Sequence, residues 1–383
     1  MKLSTELFTQ LAHQFNTPLY VYDGEQLQHN LRRFTAEITY RPLRLHVALM
    51  ANDTPQLLAE CRANGVGAFV NSPRHLSIAL HQVGWQPAEI IYASSNNTAA
   101  TIERLVELGV TFHANSLREL KLYARNNVRP RVGLRLAWPM PGQMQPARLG
   151  VRLNELLTAR HVAEQCGLHI NGLHVYLGTN IANADYYLQQ IEKILPIAAS
   201  FADLNYLDLS GGFSVNDAFD YRRFNQGLVS LLTQHAQQTG QSLDLVLEPG
   251  RAVFADVGYF LTRVMEVKAN ANQILVGVDG SATLLPLTLH HTPTNYPVVM
   301  PESTRPPMRW PATVCGASTY SRDYLARQIQ LPPVKAGDLL VFGNAGAYTY
   351  SCLSNYLGIA RPAQVLVTPE KTTLITPREV VCL

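Results

Sequence analysis

The sequence has little that would fix its class at a glance, and each shortage excludes something. Its five cysteines (Cys61, Cys166, Cys315, Cys352, Cys382) are odd in number and far apart, with no Cys-x-x-Cys pair. A disulfide framework and a zinc or redox motif are therefore not indicated, and a reducing cytoplasm suits the chain. No apolar run approaches the roughly 20 residues needed to cross a bilayer. Near the start, Leu3, Leu7, Phe8, Leu11 and Phe15 recur at helical spacing, interrupted by Glu6, Thr9, Gln10 and His13. That pattern predicts an amphipathic helix rather than a signal peptide, whose apolar centre is continuous. Charge of one sign is scarce too: 31 basic residues against 28 acidic leave a net charge of +3, and the basic residues are scattered. Neither nucleic acid nor an acidic membrane is an implied partner. There is no internal repeat and no low-complexity tract.

What is present is ample core. The 383 residues are 47% hydrophobic, enough for two domains. Short β-rich apolar runs alternate with helical patterns eight times: Leu45–Ala51, Ala68–Ser72, Ile90–Ser94, Thr111–Asn115, Val132–Ala137, Gly172–Gly178, Tyr206–Ser210 and Leu243–Glu248. Eight strand-then-helix units predict an α/β fold, a (β/α)8 TIM barrel. An open doubly wound sheet is the alternative, but it calls for a glycine-rich fingerprint after its first strand. Met50-Ala-Asn-Asp-Thr-Pro55 contains no glycine. After Arg251, strand-like runs at Gln273–Val278, Leu339–Phe342 and Gln364–Thr368 predict a C-terminal antiparallel β domain, with Pro301–Pro311 as a loop inside it. The expected division is an N-terminal segment 1–24 that packs with the β domain, a barrel over 25–265, and the β domain over 266–383.

Barrel enzymes place their sites at the C-terminal ends of the strands. There the sequence offers Met50, Ser72, Ser94, Asn115, Arg135, His174 to Thr179, Gly211-Gly212 and Glu248-Pro-Gly-Arg251. Glycines after both strand seven and strand eight point to a phosphate ringed by backbone N–H groups, although a glycine pair alone often only permits a tight turn. His174 and Tyr176 share one face of strand six, so both aim into the barrel or its mouth. His290 and His291, if on a strand, face opposite ways; no metal site is expected.

Several ordered stretches carry a resemblance. Thr17-Pro-Leu-Tyr-Val-Tyr-Asp23, Gly172-Leu-His-Val-Tyr-Leu-Gly178, Leu207-Asp-Leu-Ser-Gly-Gly212, Glu248-Pro-Gly-Arg251 and Ala345-Gly-Ala-Tyr348 resemble, in the same order, the landmarks of the diaminopimelate and ornithine decarboxylase family. The similarity runs from about residue 17 to Val367. It implies a fold-type III pyridoxal-phosphate architecture with an alanine racemase-like barrel, carbon–carbon lyase chemistry on an amino acid, and an antiparallel homodimer with composite active sites. By position, Glu248 resembles the glutamate that pairs with the pyridine nitrogen and Arg135 the arginine near the pyridine hydroxyl. Thr179, Gly211, Gly212, Gly250, Arg251 and Tyr348 resemble the cofactor-binding cradle.

The departures are as ordered as the matches. Where the family's first strand ends in Ala-(Val or Leu)-Lys-Ala-Asn, this chain reads Ala48-Leu-Met-Ala-Asn52, so Met50 stands at the Schiff-base lysine's position. A thioether can neither form an imine nor return a proton after decarboxylation. Tyr176 stands where the ring-stacking histidine falls, and Phe69-Val-Asn-Ser72 lacks the aspartate of the second strand. Thr319-Tyr-Ser-Arg-Asp323 replaces Cys-Glu-Ser-x-Asp, putting Thr319 and Tyr320 at the catalytic cysteine and acidic residue, with Asp323 beside them on the substrate side. Cys315, four positions early, is either a replacement thiol or an inert buried cysteine. Such concerted change points to a remodelled site. The leading expectation is a repurposed, decarboxylase-like enzyme that takes an amino-acid-like small molecule and holds pyridoxal phosphate noncovalently or not at all. A catalytically silent partner of an active homologue and a lysine-replaced decarboxylase stay open.

Overall fold

Eight strands hydrogen-bond side by side in chain order, all parallel: β1 (Leu43–Ala48), β2 (Gly67–Val70), β3 (Ile90–Tyr92), β4 (Thr111–Ala114), β5 (Arg131–Ala137), β6 (His169–Val175), β7 (Tyr206–Asp208) and β8 (Asp244–Leu247). Leu245 of β8 pairs with Leu43 of β1, which closes the ring. Every one of the eight predicted runs overlaps its strand, and the expected barrel is present. The computed structural model describes residues 3–125, 130–139, 148–215, 219–270, 272–290, 298–299, 306 and 308–380. The chain divides into two units: Asn30–Ala252, which holds the barrel, and Met1–His29 joined to Val253–Leu383.

Helices form between strands where apolar residues recur three or four apart and a cap is at hand. Ala99–Leu108 buries Ile102, Leu105 and Val106; the Thr98 hydroxyl accepts the Thr101 N–H at its start, and Gly109, at φ 74°, ends it in the left-handed region. Asn183 and Asp220 cap Ala184–Ala199 and Tyr221–Thr239 in the same way.

Barrel interiors are ordinarily filled by branched aliphatic side chains. Here only part is: Ala48, Phe69, Ile91, Ala93 and Val246 cluster there with Tyr206. The rest is polar, and glycines make room for it. A Cβ on Gly133 would lie 2.1 Å from the His113 ring, so that strand position must be bare for His113 to fit.

In the second unit, Leu19–Asp23 runs antiparallel to Gly258–Asn270 and parallel to Ala363–Val367, and Gln273–Val278 runs parallel to Ala312–Cys315. The sheet is mixed, which corrects the expectation of a purely antiparallel domain. The parallel pairs join segments far apart in sequence rather than hairpin neighbours, so no turn dictates their direction. Helix Thr5–Phe15 packs Phe8, Leu11 and Ala12 onto Leu19, Val21 and Leu261 of this sheet. His290 ends a short helix, Leu287–His290, not a strand: Pro286 fixes the turn that starts it. His291 lies outside the described residues, as does much of Pro301–Pro311, whose described part has neither helix nor strand.

Candidate functional site

Strand register assembles the site. Arg135 of β5 pairs with His174 of β6, which pairs with Asp208 of β7, so three polar side chains stand on one level of the barrel. The next step toward the C-terminal end holds Ser210 and Glu248, whose backbones bond through the Glu248 N–H and Ser210 carbonyl at 2.7 Å. Ser210 Oγ donates to Glu248 Oε2 at 3.0 Å, and the Ser210 N–H donates to Asp208 Oδ1 at 2.8 Å. His174 Nε2 lies 3.3 Å from Glu248 Oε2, and His113 Nδ1 lies 3.9 Å from Asp208 Oδ2. Toward the other end, Tyr206 Oη and His113 Nε2 bond at 2.9 Å. The rings of His113 and His174 stand 4.9 Å apart, and Phe69 covers the far side of His174 at 5.8 Å.

None of these four ionisable groups reaches water: His113, His174 and Asp208 are 0% exposed and Glu248 1%. Burial dominates their charge states because the charged form loses its hydration. It lowers His174 to about 4 and drives His113 well below the usual histidine range, with repulsion from nearby His174, when protonated, and from Arg135 adding to the effect. Both imidazoles are neutral at pH 7, so their carboxylate contacts are not ion pairs. Burial raises Glu248 to about 7 and pushes Asp208 well above the usual carboxylate range, helped by the charge of Glu248. Burial also weakens the protonation of Arg135, against the pull of Glu248 and Asp208.

The mouth is made by the loops that follow the strands. Met50 sits in the turn after β1, partly buried against the cluster of Ala48, Phe69 and Ile91. After β2, Asn71 Oδ1 and His75 Nδ1 bond at 2.9 Å. The Tyr176 hydroxyl bonds Thr179 Oγ1. Gly178 and Gly212 adopt φ of 145° and 96°, and a Cβ on Gly212 would meet the Gly178 carbonyl oxygen at 2.1 Å. The two loops are stitched by Ile181 N–H to Gly212 O at 2.8 Å and Ser214 N–H to Ile181 O at 3.1 Å. Gly211 packs on the carbonyl of Glu248, where a Cβ would lie 2.5 Å away. Gly250 is buried just ahead of Arg251, which begins the short helix Arg251–Phe254.

The other unit gathers its own candidates around one carboxylate. Asp323 is 4% exposed and accepts from Ser281 Oγ at 3.0 and 3.1 Å, the Ala282 N–H at 2.6 Å, and the Ser318 N–H at 2.9 Å and hydroxyl. Its oxygens are thus committed to its own unit. Thr319 is exposed; Tyr320 packs edge-on against Tyr356 at 5.4 Å; Tyr348, half-buried, holds a φ of 58°. Cys315 is half-buried on Ala312–Cys315, and burial raises its thiol away from the reactive thiolate.

The structure thus joins Arg135, His174 and Glu248 in one buried cluster and Gly211 and Gly212 in the loops above it. It adds His113, Asp208, Ser210 and Tyr206, which sequence reasoning had not assigned to a site. Their signal was available only on one strand: Tyr206, Asp208 and Ser210 alternate, and so share a face.

A closed parallel barrel with buried acids inside and glycine loops after β6, β7 and β8 defines a (β/α)8 protein. Residues 25–255 match the family described as pyridoxal-dependent decarboxylase, pyridoxal binding domain, and the chain belongs to this pyridoxal-phosphate-dependent family. Diaminopimelate decarboxylase of Methanothermobacter thermautotrophicus is 27% identical over 398 residues, covering 97% of this chain and 91% of that one. The Deinococcus radiodurans enzyme of the same name is 27% identical over 385 residues, covering 99% and 97%. Among solved structures, diaminopimelate decarboxylase from Helicobacter pylori complexed with L-lysine superposes with a TM-score of 0.86 at 24% identity, covering 97% of each chain. The lysine/ornithine decarboxylase from Vibrio vulnificus complexed with putrescine gives 0.83 at 20% identity, covering 95% and 99%. The relatives are amino-acid decarboxylases. Among the described residues no helix is long and apolar enough to cross a membrane.

Proposed function

We propose that this chain is a decarboxylase-like protein, a cytoplasmic homodimer, that takes an amino acid or amino-acid derivative in an inherited pyridoxal-phosphate pocket without lysine Schiff-base catalysis. The observation that carries this is Glu248. Its Oε2 is held by Ser210, while its Oε1 is buried with no hydrogen-bond partner. A buried acceptor left open is unfavourable, and a protonated ring nitrogen satisfies it.

The residues fit the noncovalent part of the cofactor. Arg135, whose buried Nε also lacks a partner, suits the side of the ring hydroxyl, and the loops at Thr179, Gly211, Gly212, Gly250 and Arg251 suit the phosphate. They do not fit a covalent link. Met50 has no nucleophile; Lys121 and Lys193 are exposed on helices, and Lys268 pairs with Glu266 at 2.8 Å in the other unit. Bound pyridoxal phosphate supplies an electron sink. Around it, Glu248 holds the proton at the ring nitrogen, Phe69 and Met50 present an apolar wall, and Tyr176 with Thr179 offers protonable hydroxyls at the mouth. In the homodimer, Tyr320 and Tyr348 complete the partner's pocket.

An absorption titration with pyridoxal phosphate tests this. Saturable binding with the spectrum of the free aldehyde is expected, moved to a lysine-bound band only in Met50→Lys and weakened in Glu248→Ala. Absence of binding to all three proteins would sink the cofactor assignment and leave the pocket to another anion. A second reading, a silent partner of an active homologue, draws on the packing of Met50 into the apolar cluster. Release of carbon dioxide from any amino acid in a panel would eliminate it.

A further inference from the structure

Just past the end of β7, Ser210 holds a φ of 55°. In that left-handed region glycine is at ease and a residue with a Cβ is strained, so a serine there needs a reason. The turn itself does not supply one. It is held by the Ser210 N–H on Asp208 Oδ1 at 2.8 Å and by the Glu248 N–H on the Ser210 carbonyl at 2.7 Å, and a glycine would make both bonds. Serine adds a hydroxyl, which donates to Glu248 Oε2 at 3.0 Å from a residue only 6% exposed. Strain kept where glycine would relieve it marks a position retained for its side chain.

That one bond decides which oxygen of Glu248 is open. Oε2 is taken by Ser210, with His174 Nε2 3.3 Å away, while Oε1 is buried with no hydrogen-bond partner. A carboxylate tied at one oxygen does not swap the two, so the open acceptor keeps one place. The hydroxyl acts on charge as well, because a donor to a carboxylate favours its ionised form. Burial raises Glu248 to about 7 against the opposing effects of Asp208, Ser210 and Arg135. Asp208 of β7, Arg135 of β5 and His174 of β6 all face this carboxylate, and all three stay in place when Ser210 alone is changed.

We propose that Ser210 is the positioning residue of Glu248: its hydroxyl fixes the carboxylate so that Oε1 is the atom that meets the ring nitrogen of pyridoxal phosphate. The link from Oε1 to a ring nitrogen rests on the cofactor reading above; the grip of Ser210 on Oε2 does not.

The test compares the full chain with Ser210→Gly and Ser210→Ala. Glycine removes the hydroxyl and the strain together, whereas alanine removes the hydroxyl and keeps the strain. Ser210→Gly should therefore unfold at about the parent's urea midpoint, yet bind pyridoxal phosphate about 10-fold more weakly in an absorption titration at pH 7. Ser210→Ala should bind as weakly and unfold at a lower midpoint. The carbocyclic analogue, with C–H in place of the ring nitrogen, should bind equally to all three proteins. In the ligand-free proteins, the infrared carboxyl band of Glu248, identified by its loss in Glu248→Gln, should titrate at higher pH in both variants than in the parent. An unmoved band, an affinity lost in Ser210→Ala but kept in Ser210→Gly, or an equal loss for the analogue would overturn the proposal. If no protein binds pyridoxal phosphate, the cofactor reading falls and takes the ring nitrogen with it. A shifted band would then still support the grip of Ser210 on Glu248, and an unmoved one would end it.

Discussion

The ring of Tyr206 stands where a side chain on residue 172 would be: a Cβ added to Gly172 would lie 1.9 Å from its Cζ. Gly172→Ala therefore forces Tyr206 off its place under His113. Overpacking of this kind costs about 1–3 kcal/mol, read as a lower denaturant midpoint with an unchanged slope. A second change, Tyr206→Leu, frees the space, so the double variant should recover part of the loss. Strict additivity of the two changes would contradict the steric account.

Acid should weaken the barrel through His46. Burial lowers this histidine to about 3, against 6.5 for the free side chain. Between those values the unfolded chain binds the extra proton, so its contribution to stability is fully present above about pH 6.5 and is lost as pH falls toward 3. His46→Leu removes the titration. Relative to the parent, that variant should gain roughly 1–2 kcal/mol between pH 7.5 and pH 5, measured by urea unfolding at each pH. A parallel pair of stability curves would show that His46 does not titrate this way.

Asp323 is expected to act on folding. Its carboxylate gathers donors from Ser281, Ala282 and Ser318, and Asp323→Ala leaves them buried without an acceptor. A loss of about 3–5 kcal/mol follows, seen as a large drop in melting temperature. If stability stays level while ligand affinity falls, the residue reads substrate instead.

A homodimer, as proposed, would give about twice 42.5 kDa by light scattering after size-exclusion chromatography. A strict monomer would remove the assignment of Tyr320 and Tyr348 to a partner's pocket.

The barrel was readable because each buried parallel strand is a short apolar run with a helical pattern after it, as at Thr111–Asn115 before Leu117–Arg125. Arg135, His174 and Glu248 were readable because position at a strand's C-terminal end marks the mouth. His113 was not, since nothing in Thr111–Asn115 says which histidine faces Asp208; strand register decides that. The parallel pairing of Leu19–Asp23 with Ala363–Val367 escaped for the same reason: it joins segments that share no turn. His290 ends a helix that begins just after Pro286, and the alternation of a histidine pair carries no trace of that start.

The stitched loops at Gly178, Ile181 and Gly212 have a thermodynamic meaning of their own. Two backbone hydrogen bonds hold these glycines in conformations that other residues rarely adopt, and they do so before any ligand arrives. The conformational entropy of shaping the cradle is thus surrendered during folding, not during binding. Any ligand taken at this mouth would meet a preorganised receptor, and its affinity would reflect contacts and desolvation with little ordering to subtract.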